Sequence, residues 1–161
     1  MRAARIAADK GYTKVYAFVG GIPEWHAFNY PMTINKEWQA IKVNKLGPEE
    51  FNELLNKPDI YILDVRPFDF TRDTSFITNS HHCPLVFLAH KYKEIPIDMG
   101  IIITDWAMKQ SVTAAKFLTK NNYKVIGVLK GGMERWKLEK FPVEHREPSY
   151  KIDNLDISGE E

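Results

Sequence analysis

The chain of 161 residues carries 22 basic and 21 acidic side chains, and a net charge of +1 excludes the broad positive field that would draw in nucleic acid or an anionic membrane. A hydrophobic fraction of 44% and a charged fraction of 27% exclude a disordered chain and fit one domain of ordinary size plus an extra piece. The single cysteine, Cys83, excludes an internal disulfide and a CxxC metal knuckle, and no apolar run approaches the roughly 20 residues of a membrane span, so the expected compartment is the cytoplasm.

The opening MRAARIAADKGY is rich in Arg and Ala, as a transit peptide would be, but it belongs to a repeat. AARIAADKGYTKVYAFVGGIPEWHAFNYP, from Ala3, lies without gaps over AAKFLTKNNYKVIGVLKGGMERWKLEKFP, from Ala114. Tyr12, Gly20, Gly21, Trp25 and Pro31 meet Tyr123, Gly131, Gly132, Trp136 and Pro142. Conservative pairs fill the gaps: Val15 with Ile126, Phe18 with Leu129, Ile22 with Met133, Tyr30 with Phe141. Each copy reads as a helix, a short strand, a Gly-Gly turn and a second helix carrying a Trp, closed by Pro. The Gly pair suits a turn with positive φ or a close backbone approach, and the Trp can fold back over a sheet. Met1 aligns with Val112, so the first copy is expected to be the closing half of a domain, set before a whole one.

Residues 33–43 read as a linker that runs into an entering strand around Ile41–Val43. Gly47-Pro48-Glu49-Glu50 starts a helix, with Pro at the first helical position and acids facing the positive end of the dipole. FNELL continues it and Asn56-Lys57-Pro58-Asp59 stops it. The apolar runs IYILDV (60–65), IIIT (101–104) and VIGVL (125–129) read as buried parallel strands alternating with helices. The expected class is an α/β sandwich from about residue 42 to 146. The closing EHREPSYKIDNLDISGEE has no periodicity and is expected to be solvated or loosely packed.

In order and spacing, Asp64-Val65-Arg66 after a strand, SFITNSHHCPL (75–85), the strand–loop–helix at 101–117, KGGMERW and FPV resemble a rhodanese-like domain. The resemblance covers 44–146 and implies a three-layer sandwich with a mostly parallel central sheet flanked by helices. It implies that residues 1–32 are the C-terminal half of another such repeat and that 147–161 are a tail. Gly131, Gly132 and Trp136, with Asp64 and Arg66, form its structural motif.

By the same resemblance, an active member places a cysteine at the end of the central strand, before a loop whose N–H groups point at the sulfur. That cysteine carries a persulfide between a donor such as thiosulfate and an acceptor. Here its place is taken by Asp105, and the loop is Asp105, Trp106, Ala107, Met108, Lys109 and Gln110. No catalytic residue is therefore expected. Sulfur transfer runs through a thiolate that makes and breaks S–S bonds, which a carboxylate oxygen cannot do. Cys83 falls at an apolar position before Pro84, where a core side chain is expected.

A carboxylate does suit converging N–H dipoles at a helix N-terminus, so Asp105 is expected to be ionised and to stand in for an anion the loop would otherwise bind; an ordinary helix cap is the alternative. A Cys-x5-Arg phosphate loop is excluded, because that window begins with Asp105 and ends with Ser111. His81 and His82 are adjacent, hence on opposite strand faces, and no metal or cofactor is expected. Asp64 and Arg66 are expected to form a structural ion pair. Trp106 would either plug the pocket or offer a stacking surface.

The expected function is a binding, regulatory or scaffold module unable to form a persulfide, with a protein partner or a small anion as its ligand. The alternative is a sulfurtransferase or sulfur carrier that uses a cysteine from another chain or from a segment upstream. Ile6, Val15, Phe18 and Trp25 need cover, either from the intact domain or from a second chain in a homodimer through residues 1–32.

Overall fold

The computed structural model describes residues 2–33, 35–67 and 73–147. The chain divides into two compact units, Met1–Gln39 and Ala40–Glu161. No helix among the described residues is long and apolar enough to cross a membrane.

The first unit holds helices α1 (Arg2–Asp9) and α2 (Gly21–Ala27), and α3 (Lys36–Ala40) stands at its end. It is held by a chain of aromatic contacts: Phe18 meets Trp25 edge-on at 5.7 Å, and Trp25 meets Tyr30 at 4.9 Å. The Trp25 indole N–H donates to the Pro31 carbonyl over 3.1 Å. The expected linker contains α3, whose start is capped by the Asn35 side chain accepting from the Trp38 amide at 2.9 Å.

One expectation fails here. The short strand read into the first copy is not formed: residues 13–18 have no strand assignment and no ladder partner among the described residues. A strand is a property of a pair, and the described residues of this unit supply no second strand.

The second unit is built on a parallel sheet. Among the described residues its strands are β1 (Lys45–Leu46), β2 (Ile60–Asp64), β4 (His81–His82), β5 (Gly100–Thr104) and β6 (Lys124–Leu129), in the order β1-β6-β5-β2-β4. A separate antiparallel pair joins β3 (Ser75–Phe76) to β7 (Glu144–His145). Two corrections follow. The entering strand lies at Lys45–Leu46 rather than Ile41–Val43, because only there does the backbone align with β6, Lys45 opposite Val128. Glu144–His145, which open the closing stretch read as solvated or loosely packed, pair with β3; residues beyond Glu147 lie outside the described residues.

Helix α4 (Pro48–Leu54) starts with Pro and two acids as its sequence predicts, and buries Phe51 completely. α5 (Leu85–Lys91), α6 (Ser111–Lys120) and α7 (Gly132–Leu138) complete the layers. Alternation along β5 divides the core: Ile101 and Ile103 join Ala114, Ala115 and Leu118 of α6, while Ile102 joins Phe51, Met133 and Trp136. Both faces of the sheet are thus covered, which explains why the successive residues Ile101, Ile102 and Ile103 are all apolar.

The two aligned segments share several backbone features. α2 and α7 cover matching residues, and both end with a residue at φ −83°, ψ 5°, Phe28 in one and Glu139 in the other. Gly21 and Gly132 share positive φ (59° and 61°), as do Asn29 and Lys140 (53° and 62°). The Trp136 indole donates to Pro142 over 2.9 Å, repeating the tie from Trp25 to Pro31.

Candidate functional site

β5 lies between β6 and β2, so its C-terminal end opens at the middle of the sheet edge. The chain leaves β5 through Asp105–Gln110 and enters α6 at Ser111. Asp105 is buried, with 1% of its surface exposed. Its Oδ1 accepts the backbone N–H of Met108 at 2.5 Å, and its Oδ2 accepts those of Gln110 at 2.5 Å and Ser111 at 2.8 Å. The turn needs a left-handed residue, and Met108 takes that conformation at φ 59°. The carboxylate therefore points into the loop and engages its amides. It caps α6 and occupies the loop's converging donors.

α7 fixes the other side of the loop. Met133 donates its amide to the Asp105 carbonyl at 2.8 Å, and Glu134 donates to the Trp106 carbonyl at 3.0 Å. A Cβ on Gly132 would lie 2.5 Å from the Trp106 oxygen and 2.6 Å from the Asp105 oxygen, so only glycine lets α7 come this close. Gly131 turns the chain at φ 85°. The Gly pair, which the sequence marks for its turn, thus also sets the position of Asp105. Ser111 reads in the sequence only as the end of a window, yet its amide is the third donor; its place at the first position of α6 was the available signal.

The remaining expected residues distribute around this loop. Trp106 is 42% exposed and does not plug a pocket; the Lys137 ammonium stands 5.6 Å from its ring centre, and Lys137 also pairs with Asp73 at 2.9 Å. Ala107 is half-buried, and Lys109 is exposed. Asp64 and Arg66 are fully buried and joined at 2.7 Å, and Arg66 Nη2 reaches the Ser75 carbonyl at 2.7 Å, tying the end of β2 to β3. This is the structural pair the spacing suggests.

His81 and His82 do point apart. His81 stacks on Tyr61 at 4.3 Å, whereas the buried His82 ring nitrogen Nε2 lies 3.0 Å from the Arg66 carbonyl. Burial pushes both imidazoles below their ordinary pKa, and for His81 the Arg146 guanidinium adds to it. Among the described residues no group of three metal-ligating side chains comes together.

Cys83 is 9% exposed and packs in the core with Leu63, Val65 and Leu88. Its backbone N–H bonds the Asp64 carbonyl at 2.9 Å, which places it beyond β4, with β2 between it and Asp105. At about 4.8 Å per strand the two sites stand on the order of 10 Å apart.

The rhodanese-like domain family model matches residues 47–139. A rhodanese-related protein from Thermoplasma volcanium is similar at 24% identity over 63% of this chain and 97% of that one, with a TM-score of 0.57. The CoADR-RHD protein of Bacillus anthracis, in its reduced form, is 28% identical over 57% of this chain but only 16% of its own length, with a TM-score of 0.51. A rhodanese-like domain protein from Staphylococcus aureus matches at 20% identity over 65% and 99%, with a TM-score of 0.55. A search of the curated proteins found no match. With the family's pattern spanning more than half of the chain, from α4 to the end of α7, the protein belongs to the rhodanese-like domain family.

Proposed function

We propose that residues 44–146 are a rhodanese-like domain that has lost sulfur transfer at its loop and works as a binding or regulatory module. In this reading Asp105 stands where an active member has its cysteine, and the site residues are the loop Asp105–Gln110. One observation carries it: the Asp105 carboxylate takes up the amides of Met108, Gln110 and Ser111. Those donors are already satisfied by the protein's own side chain. A carboxylate oxygen does not accept a sulfane sulfur, and a small anion entering the loop would have to displace two hydrogen-bonded oxygens. The ligand this favours is a protein surface read by the exposed Trp106 and Lys109 rather than an ion inside the loop. Residues 1–32 are the closing half of another rhodanese-like repeat in the same reading.

A second reading rests on Cys83. Cys83 lines a cleft of about 200 Å³ together with His81, Lys91, Glu94 and Arg146. Lys91, which pairs with Glu94 at 3.5 Å, and Arg146 are the cations at that cleft, and cations near a thiol favour its reactive thiolate, which would suit a sulfur carrier.

Thiosulfate-to-cyanide sulfur transfer separates the two. The purified chain should run at background. Turnover that disappears in Cys83→Ser would reject the first reading and establish the second.

A further inference from the structure

The cleft of about 200 Å³ opens at one edge of the sheet, where the edge strand β4 meets the end of α5 and the residue that follows β7. β2 stands between β4 and β5, and no residue of the loop Asp105–Gln110 lines this cleft. Its charged lining is Lys91, Glu94 and Arg146. Lys91 and Glu94 are 3.5 Å apart with 38% and 70% of their side chains exposed, so water screens the pair and it holds Lys91 weakly.

Arg146 is fixed in place. Its amide donates to the Thr74 carbonyl at 3.1 Å, its guanidinium lies 4.3 Å from the Phe76 ring centre, and Nη2 donates to the Ser80 carbonyl and, at 3.0 Å, to the Ser80 hydroxyl. Those hydrogen bonds engage one nitrogen of the fork. Nε is buried without a hydrogen bond, 3.5 Å from a Glu144 carboxylate oxygen, and Nη1 donates to no acceptor among the described residues. A guanidinium held in this way has already lost its rotamer freedom and still has donors to offer, so an anion can bind it with little further ordering.

The charge of Arg146 is felt across the cleft. Burial lowers the pKa of His81, and the Arg146 guanidinium lowers it further; burial also holds His82 low. Both imidazoles are uncharged at neutral pH, which leaves Lys91 and Arg146 against Glu94 and one positive charge in excess in the lining. A single negative charge matches that excess, whereas a dianion would be repelled by Glu94 and by Glu144 beside Nε. The volume is many times the roughly 15 Å³ that one water requires, so there is room for a molecule with a body. Ile95 and Tyr61, the latter stacked on His81 at 4.3 Å, give that body an apolar wall.

We propose that this cleft binds a small organic acid as its monoanion, with the carboxylate on Arg146, Lys91 adding charge, and the body against Ile95 and the Tyr61–His81 stack. The site rests neither on Asp105 nor on the reactivity of Cys83.

The probe is benzoate, with benzyl alcohol as its uncharged counterpart and phosphate as a compact anion of higher charge, titrated into the isotope-labelled full chain and followed by backbone amide chemical shifts. Saturable movement of the amides of Ser80, His81, Lys91 and Arg146 is expected with benzoate, and about tenfold weaker binding of benzyl alcohol and phosphate. Arg146→Gln should weaken benzoate binding about tenfold, while Lys120→Gln, which removes an exposed charge at the end of α6, should leave it unchanged. Arg146 also ties Ser80 to the end of β7, so Lys91→Gln is a second variant that keeps that tie, and about threefold weaker binding is expected of it. Shifts that do not saturate, shifts centred on residues 105–110, benzyl alcohol or phosphate binding as tightly as benzoate, or native affinity in either variant while it remains folded would each overturn the proposal. None of these results alters the sulfur-transfer assay, so the Asp105 reading stands or falls separately.

Discussion

The amide of Met133 donates to the carbonyl oxygen of Asp105 over 2.8 Å, so the first turn of α7 holds the residue on which the loop between β5 and α6 is built. The contact exists because Gly132 has no side chain. Gly132→Ala would press a methyl group into two backbone carbonyls at a residue with φ of 61°. Left-handed strain and overpacking together should cost about 2–4 kcal/mol. Urea denaturation measures it, and an unchanged midpoint would show that the loop can move away from α7 freely.

Asp105→Asn keeps the shape but turns an NH2 group toward amides that need an acceptor. At least one buried N–H of Met108, Gln110 or Ser111 then loses its partner, at a cost of about 1–3 kcal/mol. Asp105→Ser, which retains one acceptor oxygen, should also be less stable than the native chain. If Asp105→Asn unfolds at the native midpoint, the three hydrogen bonds contribute nothing net and the cap function is rejected.

Asp105→Cys places a thiol at the same donors. Its sulfur should attack the outer sulfur of thiosulfate, breaking that S–S bond and releasing sulfite, to leave a persulfide stabilised by the loop amides. Intact-protein mass spectrometry should then show a gain of one sulfur, absent from the native chain under identical treatment. Failure to load would mean that the loop, closed around a carboxylate, no longer admits the larger sulfur atoms.

Asp64→Asn strands the fully buried Arg66 guanidinium. Removing one partner of such a pair costs about 3–5 kcal/mol, whereas the double variant Asp64→Leu/Arg66→Met should recover part of the loss. A single variant with near-native stability would show that Arg66 reaches solvent or another acceptor once released.

Acid should destabilise the fold through His82. Burial is the main cause lowering its pKa, aided by the Arg66 and Arg146 guanidiniums and opposed by the Arg66 carbonyl and the Asp64 carboxylate. The folded state thus binds this proton more weakly than the unfolded chain. Stability is full above the unfolded imidazole value of about 6.5 and declines as pH falls below it toward the folded value. His81 is shifted in the same direction and adds to the slope. The urea midpoint should be lower at about pH 5.5 than at about pH 7.5, and His82→Gln should reduce that difference. A midpoint that rises on acidification would contradict the sign.

Which parts were readable in advance follows from the range of the forces involved. Buried parallel strands declare themselves as apolar runs, since a strand covered on both faces has no polar side; 60–64, 100–104 and 124–129 were legible for that reason. Pro48 with two acids marks the start of α4 locally, and Gly131-Gly132 marks a turn that no residue with a Cβ could take at so close an approach. That residue 105 is a carboxylate, which cannot itself carry a sulfane sulfur, was equally a matter of sequence.

Other features depended on partners distant in the chain. That Asp105 turns inward, takes three amides and is held from behind by Met133 required α6 and α7 to converge on one point. Trp106 could have plugged a pocket or offered a stacking surface, and only the fold leaves it exposed, because nothing in the residue itself says which way the loop faces. The plainest case is the pair of repeats: similar residues form a strand at 124–129 and none at 13–18. A strand's hydrogen bonds are made to its neighbours, so the segment's own sequence sets only its readiness to pair, and the presence of β1 and β5 decides whether it does.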